Sequence, residues 1–101
     1  MRFHEIELPK DRIVEFCREK GITEFAFFGS VLTDTFGPDS DIDVLVSFDA
    51  ANRYSLLDLA RMKQELEVLF GRDVDLVEKA SLRNPFRKQA ILNNMEIVYA
   101  A

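Results

Sequence analysis

Short apolar strands alternate with amphipathic helices along the chain, and this alternation is the sequence feature that most restricts its fold. Predicted strands carry apolar residues in runs or at every second position, whereas predicted helices carry them three and four residues apart. Over 101 residues the alternation predicts an α+β (two-layer α/β) fold, a small mixed β-sheet with helices packed on one face. The predicted helices cover residues 9–20, 55–70 and 84–95, the strands cover 22–28, 42–48, 74–77 and 97–99, and a short helix or turn covers 31–36.

The ends of the helices and their buried stripes are also predictable. Pro9 suits the first turn of the first helix, and Gly21 and Gly71 suit the C-terminal ends of the first and second. Ser55 and Asp58 match a capping pattern at the start of the second helix. The residues at helical spacing that are predicted to face the core are Ile13, Phe16, Cys17, Leu56, Leu59, Met62, Leu66, Leu69, Phe70, Phe86, Ala90 and Ile91.

Length and composition predict a single folded domain over residues 1–101. Hydrophobic residues make up 48% of the chain and charged residues 31%, a balance typical of folded domains rather than disordered segments. No apolar run approaches the roughly 20 residues of a membrane helix, and the first residues lack the apolar stretch of a secretory signal. We therefore expect a cytoplasmic protein with no membrane partner. The net charge of −5 argues against a protein that binds nucleic acid by charge alone.

The negative charge is concentrated in one stretch of the sequence. Residues 34–49 contain five aspartates and no Lys or Arg, and outside them the chain has 13 acidic and 13 basic residues. The stretch therefore carries a charge equal to the whole net charge. We interpret it as a local feature, a metal site and its rim.

Two of these aspartates occupy positions that suit a shared cation. On a strand, Asp41 and Asp43 point the same way with Cα atoms about 6.6 Å apart, so both carboxylates can reach one metal ion. Carboxylate oxygens suit Mg²⁺, which also bridges to substrate phosphates. The same spacing is also expected if Asp41 and Asp43 are solvated residues at the edge of the sheet. Asp75 on another strand favours the metal site, because three acids on one face repel one another without a cation. Asp73 has the same parity, but Asp75 lies deeper in its apolar run.

A Gly-Ser pair at a strand-to-helix junction supplies the phosphate-binding half of the predicted site. Gly29 allows a sharp turn and a close approach of a ligand to the main chain. Ser30 presents a hydroxyl, and the exposed N–H groups of the following turn favour an anion. Such pairs are common in turns, so the prediction depends on their combination with Asp41, Asp43 and Asp75.

The combined motifs resemble the signature of the minimal nucleotidyltransferases (MntA-like antitoxins) of the DNA polymerase β-like superfamily. The resemblance implies a polymerase β-like palm fold, ATP as substrate and two Mg²⁺ ions held by Asp41, Asp43 and Asp75, with Gly29 and Ser30 as nucleotide-binding residues. It also implies transfer of AMP to a tyrosine of a HEPN-domain toxin, in a hetero-oligomer of a type VII toxin–antitoxin system. The runs that carry the resemblance are Phe27-Phe28-Gly29-Ser30, residues 37–46 (GPDSDIDVLV) and residues 71–77 (GRDVDLV).

The sequence departs from the family pattern at one position and leaves two other functions open. Many relatives carry an arginine three residues after the serine, where this chain has Thr33. That change favours an alternative in which the chain neutralises its partner by masking it, with little or no catalysis. Transfer of a nucleotide to a small molecule is a third possibility, but no second domain is expected to form an acceptor pocket.

Overall fold

The described residues form a four-stranded sheet with three α-helices, together with a separate pair of short strands. It is described by a computed structural model that covers residues 2–3, 6–33, 37, 39–49, 51 and 54–101, without the side chains of residues 2, 3, 6 and 7. The predicted turn at 31–36 therefore lies partly outside the described residues, and Gly29–Leu32 form a short 3₁₀ helix. The elements are β1 (Arg2–Phe3), β2 (Ile6–Glu7), α1 (Lys10–Lys20), β3 (Ile22–Phe28), β4 (Ile42–Phe48), α2 (Leu56–Phe70), β5 (Val74–Glu78), α3 (Pro85–Asn94) and β6 (Glu96–Ala100).

The four-stranded sheet is mixed, as predicted. Its strand order is β5-β4-β3-β6, in which β3 pairs antiparallel with β4 and β6, while β4 pairs parallel with β5. Parallel neighbours need a crossover connection, and α2 provides it between β4 and β5. The two strands that carry the predicted site aspartates therefore lie side by side at one end of the sheet. The short strands β1 and β2 pair antiparallel with each other.

The main core lies between one face of the sheet and helices α1 and α2. Alternate residues of β3 and β4, such as Phe25, Phe27 and Val44, point to this face and are fully buried. The apolar stripes of α1 and α2 cover them, and the predicted burial of Cys17 is confirmed. Burial raises the pKa of the Cys17 thiol to about 12, so this cysteine is a packing residue and not a reactive thiolate.

The opposite face of the sheet carries a smaller cluster in which α3 takes part. Ile91 of α3 packs there with Ala26, Phe28 and Leu45. The prediction that helices pack on one face thus describes α1 and α2, while α3 contributes its one buried residue to the other face. Helix α3 therefore lies on the face of the sheet to which Leu45 and the alternate residues of β4, including Asp43, point.

Three predicted core residues are exposed instead. Leu56 is 86% exposed and Leu57 is 61% exposed, so the first turn of α2 lies outside the core and only later turns are buried. Phe86 is 85% exposed and Ala90 is also exposed, because α3 turns only the side that carries Ile91 toward the sheet. The burial predictions for Leu56, Phe86 and Ala90 are therefore wrong.

The predicted helix ends are correct to within one residue. Pro9 immediately precedes α1 rather than lying in its first turn, and Gly21 and Gly71 follow the last residues of α1 and α2. The Ser55 hydroxyl accepts the N–H of Asp58 at 3.1 Å, and the Asp58 carboxylate accepts the N–H of Ser55 at 3.0 Å. This reciprocal pair is a capping box, as the sequence predicts. No helix of the described residues is long and apolar enough to cross a lipid bilayer.

Candidate active site

Asp43 and Asp75 stand directly opposite each other on the parallel strands β4 and β5. Their parity along the strands is that of Leu45 and Val77, so both carboxylates point to the α3 side of the sheet and away from the main core. Asp41 precedes β4 by one residue and shares this parity. Asp43 is half-buried, whereas Asp41 and Asp75 are exposed. The fold therefore brings together the three aspartates that the sequence singles out.

Asp73, the alternative to Asp75, has a different place in the fold. It is exposed and lies before the first residue of β5, where its backbone carbonyl accepts the N–H of Ile42 at 3.0 Å. This hydrogen bond aligns the starts of β4 and β5 and fixes the register that pairs Asp43 with Asp75. The position opposite Asp43 belongs to Asp75, which favours Asp75 as the third carboxylate of the site.

The Gly29-Ser30 turn lies against the Asp43 carboxylate. Gly29 has φ of +75°, in the left-handed region, and a Cβ built on it would overlap an oxygen of Asp43 and lie 3.1 Å from its Cγ. The backbone N–H of Ser30 donates a hydrogen bond to the same carboxylate. Only glycine combines this backbone conformation with so close an approach. The turn and the acidic strand are thus in direct contact, as the sequence motif implies.

The electrostatics of the site act against full ionisation of Asp43. Burial raises the pKa of the Asp43 carboxyl, and the negative charges of Asp75 and Asp41 raise it further. The charge of Arg87 and the hydrogen bond from Ser30 lower it, but they do not cancel the increase. Asp43 thus lies in a local excess of negative charge, which a bound cation would relieve.

The loop that leads into Asp41 is held by an arginine that the sequence interpretation missed. Nη1 of Arg72 donates to the carbonyl oxygens of Gly37 at 2.8 Å and Ser40 at 3.0 Å. Ser40 also closes the turn itself, because its N–H donates to the Gly37 carbonyl and its hydroxyl accepts the Gly37 N–H. These hydrogen bonds close a turn over residues 37–40, of which Pro38 lies outside the described residues. Arg72 therefore ties the approach to Asp41 to the loop before β5.

A second missed arginine lies on α3, across a cleft from the Gly29-Ser30 turn. The cleft has a volume of about 440 Å³, and its walls include Gly29, Leu32 and Thr33 on one side and Arg87 and Ile91 on the other. No periodicity or motif of the sequence brings α3 to this face. The sequence signal for Arg87 is a basic residue in the first turn of the last predicted helix. Many exposed helices share this feature, so it does not identify a site.

The donor set suits Mg²⁺ by its chemistry. Three carboxylates offer hard oxygen ligands, and a divalent cation would offset the repulsion of Asp43 by the charges of Asp75 and Asp41. Within the part of the chain that the structure describes, no three Asp, Glu, His or Cys side chains already form a metal-binding group. The fit therefore rests on the donor atoms and their charge, not on a preformed cage.

Comparisons with known proteins identify the family of this chain. Residues 10–98 match the family described as nucleotidyltransferase domain. A predicted protein adenylyltransferase of Methanocaldococcus jannaschii is 38% identical over 93 residues, which span 92% of this chain and 94% of the relative. The protein adenylyltransferase MntA of Thermococcus cleftensis is 38% identical over 79 residues, which span 78% and 75% of the two chains.

Two solved structures share the fold at lower sequence identity. A crystal structure of a toxin–antitoxin with AMP-PNP matches with a TM-score of 0.76 at 24% identity, covering 93% of this chain and 75% of that one. The tri-AMPylated Shewanella oneidensis HEPN toxin in complex with MNT antitoxin matches with a TM-score of 0.67 at 21% identity, covering 91% and 70%. At these identities the likeness concerns the fold alone.

Proposed function

Because the chain belongs to the nucleotidyltransferase family, and to the MntA-like protein adenylyltransferases within it, we propose that it transfers AMP from ATP to a hydroxyl group of a partner protein. The observation that carries this proposal is the placement of Asp43 beside Asp75 on neighbouring strands, directly against the Gly29-Ser30 turn. Carboxylates next to a phosphate-binding turn are the parts that nucleotidyl transfer needs.

The proposed roles follow from position. Asp41, Asp43 and Asp75 would hold Mg²⁺, and the Gly29-Ser30 turn would bind phosphate oxygens. When bound, Mg²⁺ supplies charge neutralisation on the phosphates and a lowered pKa of the acceptor hydroxyl. Asp75 is exposed at the rim of the site, where it can orient that hydroxyl or accept its proton.

The transfer itself needs no covalent intermediate with this chain. The acceptor oxygen forms a bond to the α-phosphorus of ATP. The bond between that phosphorus and the oxygen that bridges the α- and β-phosphates breaks, and pyrophosphate leaves with the electron pair. The hydroxyl proton passes to a base at the site. The contribution of the protein is the alignment of acceptor and nucleotide and the electrostatics around them.

We further propose that the acceptor is a tyrosine of a HEPN-domain toxin, that the toxin is silenced by the modification, and that the two chains form a hetero-oligomer. Support comes from the fold shared with the antitoxin chain found in complex with an AMPylated HEPN toxin. ATP as donor is supported by the structural match to the toxin–antitoxin with AMP-PNP. The site itself is open enough to admit a side chain from another protein, because Asp41 and Asp75 are both exposed.

One observation favours a second candidate, neutralisation by masking without catalysis. The Thr33 side chain does not offer a cation to the site but donates its hydroxyl to the carbonyl of Ser30 at 3.0 Å, in parallel with its backbone N–H at 2.9 Å. Thr33 thus closes the turn and binds no phosphate by charge. A site short of positive charge would bind ATP weakly.

Intact mass spectrometry separates the two candidates. The chain is co-expressed with a HEPN-domain toxin from the same organism, and the toxin is expected to gain one or more AMP units. The double variant Asp41→Asn with Asp43→Asn should leave the toxin unmodified. Its matched control is Asp39→Asn with Asp49→Asn, which removes two exposed aspartates of the same stretch and should leave the modification intact.

The outcomes have distinct meanings. Full modification by the Asp41/Asp43 double variant would refute the assignment of these residues. A toxin that is unmodified but inhibited by the wild-type chain would refute AMP transfer and support masking.

A further inference from the structure

The cleft between the Gly29-Ser30 turn and α3 has the size and the position of a nucleotide site. Its volume of about 440 Å³ lies within the range of small-molecule pockets. One wall is the turn that contacts Asp43, and the other is the side of α3 that carries Arg87, Ala90 and Ile91. The apolar side chains of Leu32 and Ile91 leave a surface on which a nucleoside can lie. A nucleotide in this cleft would have its phosphates at the carboxylate end.

The turn itself lacks the positive charge that a triphosphate requires. Residues 29–33 are Gly, Ser, Val, Leu and Thr, and none of them is basic. Asp41, Asp43 and Asp75 add negative charge beside the turn. Apart from Mg²⁺ at the aspartates, only backbone N–H groups of the turn can therefore attract the phosphates, unless a cation from another element faces the cleft.

Among the described residues, Arg87 is the cation that lines the cleft. It lies in the first turn of α3, lines the cleft, and is close enough for its charge to lower the pKa of Asp43. Arg87 is exposed and forms no direct ion pair with any carboxylate among the described residues. Its guanidinium is thus available to a ligand at the mouth of the site.

Another cation near the aspartates is already engaged. Lys63 of α2 donates to the Glu67 carboxylate at 2.8 Å. That hydrogen bond raises the pKa of Lys63, and the charges of Asp73 and Asp41 raise it further. Lys63 therefore balances acids at the outer edge of the site, on the side of the sheet away from the cleft, and does not line it.

We propose that Arg87 binds a phosphate group of the nucleotide in this cleft, so that α3 supplies from across the site the cation that the Gly29–Thr33 turn lacks. The inference rests on the proposed function and names one of its substrate-binding residues. Arginine suits the role because its guanidinium makes paired, charge-assisted hydrogen bonds to phosphate oxygens. Its place on a helix anchored by Ile91 keeps it at a fixed distance from the turn.

Binding of AMP-PNP to the purified chain tests this role without catalysis. Isothermal titration calorimetry with Mg²⁺ present should show that Arg87→Met weakens AMP-PNP binding about tenfold to hundredfold, the effect of losing a charge-assisted hydrogen bond. Arg87→Lys should recover part of the loss, because the ammonium keeps the charge but not the paired hydrogen bonds. The matched control is Arg83→Met, which removes an exposed arginine just before α3 and should stay within twofold of wild type.

Two further measurements separate a phosphate contact from a structural effect. Adenosine, which has no phosphate, should bind the Arg87→Met and Arg83→Met variants equally. Thermal unfolding without nucleotide should differ little between the two variants, since both arginines are exposed. Equal AMP-PNP affinities for Arg87→Met and Arg83→Met would overturn the inference, and so would a loss that adenosine shares.

The inference and the proposed function can fail separately. If the wild-type chain binds AMP-PNP through Arg87 but leaves the co-expressed toxin unmodified, the transfer proposal fails and the Arg87 assignment stands. If the toxin is modified and Arg87→Met binds AMP-PNP as tightly as wild type, the Arg87 assignment fails alone.

Discussion

Replacing Asp43 with asparagine should make the metal-free protein more stable. In the folded state the Asp43 carboxylate is half-buried and lies beside two other carboxylates, Asp75 across the strand pair and Asp41 two residues away. In the unfolded chain the same groups are hydrated and farther apart. Folding therefore works against the charge of Asp43, and an uncharged side chain of the same shape removes that cost.

The size of the gain follows from the strand spacing. Neighbouring strands lie about 4.8 Å apart, and two unit charges about 5 Å apart repel by roughly 0.8 kcal/mol in water and 3.3 kcal/mol at an effective dielectric constant of 20. Because Asp43 is half-exposed and Asp75 is exposed, the lower part of this range applies, about 1 kcal/mol. Asparagine keeps an oxygen that can accept the Ser30 N–H. A gain of that size raises Tm by about 4–8 °C.

The stability advantage of Asp43→Asn over the wild type should depend on pH. The pKa of Asp43 is raised in the folded state, so the folded chain takes up this proton more readily than the unfolded chain does. Protonation of Asp43 stabilises the folded wild type. This stabilisation is complete below the ordinary pKa of aspartate, and it is lost as pH rises through the raised pKa of Asp43 in the folded state. The advantage of Asp43→Asn should accordingly be full at neutral pH and vanish in acid.

Circular dichroism melting in EDTA, at a series of pH values, measures both effects. The matched control is Glu15→Gln, which removes one negative charge from the exposed face of α1 and should change Tm little. An Asp43→Asn variant that is less stable than wild type at neutral pH, or whose advantage grows in acid, would refute the electrostatic reasoning.

Two further substitutions test the parts that hold the site in place. Gly29→Ala should destabilise the fold by at least about 1–2 kcal/mol in urea unfolding, because φ of +75° costs alanine that much and its Cβ would also displace the Asp43 carboxylate; unchanged stability would contradict the close approach. Arg72→Met should cost about 2 kcal/mol by the same measurement, through the loss of two charged hydrogen bonds to Gly37 and Ser40. Arg72→Lys should recover part of that loss, and no recovery would contradict the role of the charge.

The sequence predicts the elements and the parity of the site residues well. Val44 lies in the core and Asp43 points to the opposite face because side chains alternate strictly along a strand. The capping pair of Ser55 and Asp58 is equally local, since both partners lie within one helical turn. Local spacing is enough wherever the physical cause is itself local.

Other features depend on how the elements assemble, and local spacing in the sequence does not determine them. The pairing of Asp43 with Asp75 requires the strand order that places β5 beside β4, and the contact of α3 with the second face brings Arg87 to the cleft. The exposure of Leu56 and Phe86 has the same origin, because helical spacing identifies a stripe but not how far the sheet extends beneath it. These are long-range relations between segments, each with an unremarkable local sequence.

Only part of the acidic stretch at residues 34–49 contributes to the candidate site. Asp39 and Asp49 are exposed and are not among the charges that raise the pKa of Asp43, and the Asp49 side chain accepts the N–H of Ala51 at 2.9 Å. Of the described aspartates in the stretch, only Asp41 and Asp43 adjoin the site, and its third acid comes from a different strand. A net charge of −5 therefore does not describe the site; its balance depends on three carboxylates, one facing arginine and whatever cation binds. Since the proposed donor ATP adds further negative charge, nucleotide affinity should be governed by the cations that enter the site with it and by the proposed contact with Arg87.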